Sequence, residues 1–244
     1  FGLPCRRTMK RCKDFIKCCF CYACLLGLAQ LLLPAEALTY REVEGEITVT
    51  HTIAITPAPP GYSVELASRR SGGGMVRQTF RTAADLSTLA WTFSDPGRQM
   101  ELDARLQGEA IVLSGTLRGK KVDKKFAAVG APWNQLFQMG LGPFALASDK
   151  KFQFRSIGTQ GPGEMKIGKF TITRQGEEKI LLAGKEIVAV QLRVSLSGLL
   201  SIFWYGDYWY RKGDGRFLRY CGVNKPGGPV AVSELVEEKV DEAK

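Results

Sequence analysis

Past its first 37 residues the chain has a single cysteine, Cys221, and a single histidine, His51. One thiol excludes an intramolecular disulfide in that body, and one imidazole excludes a multi-histidine metal site or a histidine-pair mechanism. The chain contains no G-x-S-x-G elbow, and Ser71-Gly72-Gly73-Gly74 lacks the Gly-Lys-Ser/Thr ending of a phosphate loop. No segment has EF-hand spacing. Internal repeats and low-complexity linkers are also missing. What is present is an ordinary globular composition, 45% hydrophobic, 24% charged and 10% aromatic over 244 residues.

The missing cysteines are concentrated at the start. Six of the seven lie at positions 5, 12, 18, 19, 21 and 24. Met9 opens a run with Lys10, Arg11, Lys13 and Lys17, followed by an apolar stretch from Cys18 to Leu33, Pro34 and the triplet Ala35-Glu36-Ala37. A basic region, an apolar region and an A-x-A site together read as a secretory signal peptide over 9–37, cleaved after Ala37. Residues 1–8 read as lying ahead of the true start. The apolar run is shorter than the ~20 residues a spanning helix needs, so an uncleaved membrane anchor is the alternative. Cys18-x-x-Cys21-x-x-Cys24 has metal-ligand spacing, but inside an apolar export segment cysteine acts as a small hydrophobe. We therefore expect a periplasmic, secreted protein whose only membrane contact is its export signal.

Charge is the next guide. There are 34 Lys and Arg against 24 Asp and Glu, a formal net charge of +10. The first 37 residues take six of the basic and two of the acidic groups, so the body keeps 28 against 22. An exported chain rarely meets nucleic acid, so this moderate surplus suits solubility or anionic lipid headgroups better.

From Leu38 onward the pattern has a period of two. Val188, Val190, Leu192, Val194 and Leu196 share one parity; Leu102, Ala104 and Leu106 share another against Glu101, Asp103 and Arg105. Ile47, Val49, His51, Ile53 and Ile55 alternate with threonines. These are half-buried strands. Gln107-Gly108, Arg118-Gly119 and Gly213-Asp214-Gly215 supply short turns between antiparallel neighbours, while Pro57–Gly61 and Lys225–Pro229 read as longer breaks. Pro132–Gly140 departs from alternation. It reads as one short plug helix, with Trp133, Leu136, Phe137 and Gly140 on one face. The expected fold is all-β: an antiparallel open or half-closed β-barrel of roughly a dozen strands in a single domain over 38–236, with 237–244 as a charged, frayed tail.

The strand Phe203–Tyr210 carries aromatics on both parities, Trp204, Tyr208 and Tyr210 against Phe203, Tyr205 and Trp209. Such a strand is either sandwiched or lines a cavity with one face. Aromatic side chains with polar tips suit an amphiphilic ligand. We take Trp204, Tyr208, Tyr210, Trp133 and Phe137 as the candidate ligand-binding residues. His51 stands on the apolar parity of its strand and reads as a buried or edge histidine, not a general base. Glu101 and Asp103 read as solvent-facing.

Several segments together resemble a broad bacterial family of exported β-proteins of unknown function. They are Leu38-Thr39-Tyr40 just past the signal, Pro132-Trp133 in mid-chain, the strand Gly184–Leu192, and Tyr208-Trp209-Tyr210 leading through Asp214-Gly215-Arg216 into Phe217–Tyr220. The resemblance covers 38–236, and its outline is similar to periplasmic lipoprotein-carrier half-barrels. It implies an apolar-lined concave face and a lipid ligand, with no catalytic residue. The expected function is thus a non-enzymatic envelope protein that binds a lipid or other apolar molecule, with no catalytic residue, metal or cofactor. The alternative is an interaction module that docks an envelope protein through a sheet edge or a basic face.

Overall fold

The computed structural model describes residues 36–160, 163–198, 204–224 and 227–240. The expected signal up to residue 35, its cysteines, Phe203 and residues 241–244 lie outside the described residues.

Among the described residues fourteen strands form one antiparallel sheet. In chain order they are β1 (Glu36–Glu44), β2 (Ile47–Ala58), β3 (Gly61–Arg70), β4 (Met75–Thr82), β5 (Thr88–Asp95), β6 (Met100–Gln107), β7 (Ala110–Leu117), β8 (Lys120–Ala127), β9 (Lys151–Gln160), β10 (Glu164–Leu182), β11 (Lys185–Leu196), β12 (Tyr205–Arg211), β13 (Phe217–Val223) and β14 (Val230–Val240). Their order across the sheet is β8 to β1, then β14 down to β9. Every neighbour in sequence is a neighbour in space, except that β1 and β14 join in the middle and β8 and β9 are left as the two edges. This is an open, half-closed barrel. The exposed edge strand β8 bears Lys120, Lys121, Lys124 and Lys125, all on the surface. A lysine-rich edge repels addition of another strand.

Alternation decides the inside. On β1, Leu38 and Tyr40 are buried, and on β2 Ile53 and Ile55, with partners fixed by pairings such as Tyr40↔His51 and Leu38↔Ile53. The inner face continues through Val64 and Leu66, Phe80, Leu192 and Val194, Tyr210 and Phe217. These side chains belong to one continuous buried core.

Three sequence expectations need correction. The pairing Ala58↔Gly61 makes Pro59-Pro60 a two-residue turn, so the proline cluster tightens a hairpin and does not loosen a loop. Part of the expected tail is strand: β14 runs to Val240 and pairs Glu237, Glu238 and Lys239 with Thr39, Leu38 and Ala37 of β1. Those charged residues are held by a backbone ladder their polarity does not reveal. The ladder also draws Glu36 and Ala37, the last residues of the expected signal, into β1.

The third correction concerns the plug. Among the described residues α-helix occupies α1 (Phe137–Gly140) and α2 (Gly142–Leu146). Pro132–Leu136 is extended, because Arg155 donates its backbone N–H to Pro132 (2.8 Å) and accepts from Asn134 (2.9 Å), a parallel bridge beside β9. Backbone pairing with an open edge overrides the three-and-four spacing of the side chains. Trp133 also accepts at its carbonyl from Thr88 of β5 (2.7 Å). This strap therefore ties β9 to the start of β5 across the opening. The helical turns beyond it are bolted down: Arg174 donates to the carbonyls of Ala145 (2.9 Å) and Ala147 (2.8 Å), and Tyr210 Oη donates to that of Phe137 (2.7 Å). One end of the barrel is closed by these contacts.

Candidate functional site

Toward the other end small residues interrupt the inner face. Ser156 and Gly158 on β9 face Gly168 and Lys166 on β10. On the far wall Gly206 pairs with Gly222. A Cβ on Gly206 would stand 2.6 Å from the Tyr220 ring, and one on Gly222 2.6 Å from its hydroxyl. The bare glycine pair is what lets Tyr220 lie flat across the sheet. A Cβ on Gly158 would meet nothing within 4 Å, because it points into open space.

That space is a cavity of about 790 Å³, lined by Phe137, Ile157, Gly158, Ile167, Phe170, Leu196, Trp204, Tyr208 and Tyr220, with Glu42, Lys166, Lys169 and Asn224 at its polar margins. Its size falls in the ~300–1,000 Å³ range of small-molecule sites. Phe137 is the hub. Its ring meets Phe154 edge-on at 5.0 Å, Phe170 at 5.7 Å and Tyr208 at 6.1 Å. Trp204 meets Phe170 edge-on at 5.8 Å and is anchored by donating to the Val223 carbonyl (2.8 Å). Burial pushes the Tyr208 and Tyr220 hydroxyls well up from their ordinary values, with nearby negative charge adding to it. Both stay neutral wall groups.

Trp204, Tyr208 and Phe137 therefore share one cavity wall. Tyr210 and Trp133 do not reach it. Tyr210 is on the same inner face as Tyr208, but one repeat toward the sealed end, where it is fully buried with its hydroxyl spent on Phe137. Trp133 is buried in the strap, its indole N–H donating to Gln135 (2.9 Å). On the outer face Tyr205 is exposed and stacks under Arg193, while Trp209 donates to Glu178 (2.6 Å). Glu101 and Asp103 also face outward, engaged by Ser94 and Arg105 respectively.

The sequence reading missed a polar group on the same concave surface. His51 Nδ1 lies 2.8 Å from Ser68 Oγ, and its Nε2 lies 3.5 Å from Glu42 Oε2. Asn224 donates from Nδ2 to both Glu42 (3.1 Å) and Glu44 (3.2 Å). The signal was available: Glu42, His51 and Ser68 all occupy the inward parity of their strands. A serine, an imidazole and a carboxylate in a row invite comparison with a hydrolytic triad. Ser68, however, sits inside a strand paired on both sides, with His51 and with Val76. Its backbone amides serve the ladders and do not form an oxyanion hole. The arrangement is a polar lining in which His51 Nε2 is left without a hydrogen bond.

Burial raises the Glu42 carboxyl, but the neighbouring His51 imidazole, the Asn224 amide and the charge of Arg70 outweigh it and hold the group below its ordinary 4.5. The ionised form is thus favoured by folding. That stability is complete above pH 4.5 and is lost as pH falls through the lower folded value. Glu42→Gln is expected to flatten this acid limb. In denaturant titrations, the stability of the native chain should drop relative to the variant below pH 4.5, and parallel curves would refute the assignment.

Among the described residues no group of three His, Cys, Asp or Glu side chains is placed to hold a metal, and no helix is long and apolar enough to cross a membrane.

No family model matches the chain. No curated protein matches it either. Among solved structures it is similar to the hypothetical lipoprotein YmcC from Escherichia coli, with a TM-score of 0.38 and 11% identity over 93% of this chain and 99% of that one. It is also similar to a DUF1329 family protein from Desulfovibrio piger, with a TM-score of 0.29 and 11% identity over 94% of each chain. Values this low assign neither family nor ligand.

Proposed function

We propose that this is an exported, non-enzymatic envelope protein that carries one apolar or amphiphilic molecule inside its half-barrel. The observation that supports this is the aromatic cavity of about 790 Å³ built over inward-facing glycines at the open end. The driving force is transfer of hydrocarbon out of water, about 0.8 kcal/mol per buried methylene. A chain of about ten carbons supplies roughly 8 kcal/mol before the entropy of association is subtracted, enough for binding without any reactive group. The export reading supports an envelope setting for such cargo, and the basic surplus suits approach to anionic membranes.

The docking-module reading is weaker on one point. Its open edge, β8, carries four lysines, and such an edge is disfavoured as a template for a partner strand.

Organic extraction of protein purified from the periplasm tests the carrier reading. We expect a lipid-like molecule near one per chain, lost in Trp204→Asp. If clean preparations yield none and a fluorescent fatty-acid probe fails to bind, the carrier reading is refuted.

A further inference from the structure

Next to the aromatic cavity lies a second chamber of about 580 Å³, and the two share Glu42 and Asn224 in their walls. Its chemistry is different. Inward positions at the open ends of β1, β2 and β3 supply Glu42 and Glu44, His51, and Ser68 and Arg70. Asp95 and Arg98, at the turn after β5, complete the rim, and Phe93 adds an apolar face.

The charges in this chamber oppose one another. Three carboxylates face two guanidinium groups, and Arg98 Nε already lies 3.5 Å from Asp95. Glu42 and Glu44 share the Asn224 amide, and Glu42 has His51 beside it. A ligand headgroup with a net charge of either sign would meet like charge across the chamber, three carboxylates for an anion and two guanidinium groups for a cation. Desolvating it there is not recovered. A hydroxyl carries no charge and both donates and accepts. It can donate to Glu44 and accept from Arg70 without disturbing either. Within the same pocket, His51 Nε2 is buried and makes no hydrogen bond. Phe93 offers a flat surface to the C–H face of a ring.

Building on the carrier reading, we propose that the cargo is an amphiphile with an uncharged, polyhydroxylated head of the glycolipid kind. The head sits in the polar chamber, and the tail runs past Glu42 and Asn224 into the aromatic cavity.

The test is a calorimetric titration of the purified protein with three probes of equal chain length below their micellar concentrations: dodecyl maltoside, dodecanoate and dodecyltrimethylammonium. Maltose alone is the fourth arm. We expect the maltoside to bind at least about tenfold more tightly than either ionic probe, a difference of about 1.4 kcal/mol. Maltose alone should bind far more weakly. Arg70→Ala combined with Glu44→Gln should bring the ratio between maltoside and ionic probes close to one, while Trp204→Ala should weaken all three alike. Glu44→Gln alone, at a rim position, serves if the pair does not fold. Equal affinities, or a ratio untouched by the chamber variants, overturn the headgroup assignment and leave the carrier reading standing. Maltose binding as tightly as the maltoside overturns the need for a tail. Failure of every probe to bind overturns both readings.

Discussion

Substituting phenylalanine for Gly158 is expected to yield a well-folded protein that no longer takes up an apolar ligand. The backbone at Gly158 is ordinary β9, paired with Lys166, and an added Cβ meets nothing within 4 Å. A larger residue is therefore free to enter, and glycine inside a strand is the weaker choice for stability. The ring would project into the cavity lined by Phe137, Phe170 and Trp204, and also toward the neighbouring cavity of about 300 Å³ to which Gly158 belongs. It would fill the volume an acyl chain needs. We expect the thermal midpoint to hold or rise and probe affinity to fall at least about thirtyfold, ~2 kcal/mol. Undiminished uptake by the folded variant would place the ligand somewhere else.

The second large effect is on stability. Gln135 stands in the strap as if it were one more residue of a strand. Its Nε2 donates to the Ile157 carbonyl (2.8 Å) and its Oε1 accepts from the Ile157 N–H (2.9 Å), so one side-chain amide closes the edge of β9 like a peptide group. The same oxygen also accepts from the Trp133 indole (2.9 Å) and from Ser156 (3.1 Å). Gln135→Leu keeps the size and removes every one of these bonds. Each buried polar group left unpaired costs about 1–3 kcal/mol, so a loss of roughly 3 kcal/mol is expected, moderated where water reaches the edge. Gln135→Glu keeps the acceptor and loses the donor, and should fall between. Denaturant unfolding gives the size, and faster hydrogen exchange at Ile157 gives the place. A change below about 0.5 kcal/mol, the range of neutral surface substitutions, would mean that the strap adds nothing.

How far the sequence could be read follows from what period-two alternation encodes. It identifies a strand and its two faces, so the hairpins at Gln107-Gly108 and Gly213–Gly215 and the inward Val190-Leu192-Val194 series were legible residue by residue. It does not say where along a strand the barrel is sealed. For that reason Tyr208 and Tyr210 look equivalent in the sequence, although only the first reaches the cavity. Nor does it say which strands lie side by side. Glu42, His51 and Ser68 belong to one cluster only because β1 pairs with β2 and β2 with β3 in registers set by the whole sheet. The place of Trp133 is hidden for a related reason: its backbone partner, Arg155, is supplied by a distant strand, and no local pattern announces it.

The seam between β1 and β14 joins segments from nearly opposite ends of the described chain, Glu36 beside Val240. Cutting at that seam would leave two self-contained meanders, β1–β8 and β9–β14, each made of local hairpins and able to zip up early. Their union must wait for a contact of very high sequence separation, the slow kind in the relation between topology and folding speed. Until then each half exposes a bare edge strand, so the moment of greatest exposure to aggregation comes last, when two nearly finished pieces search for one another.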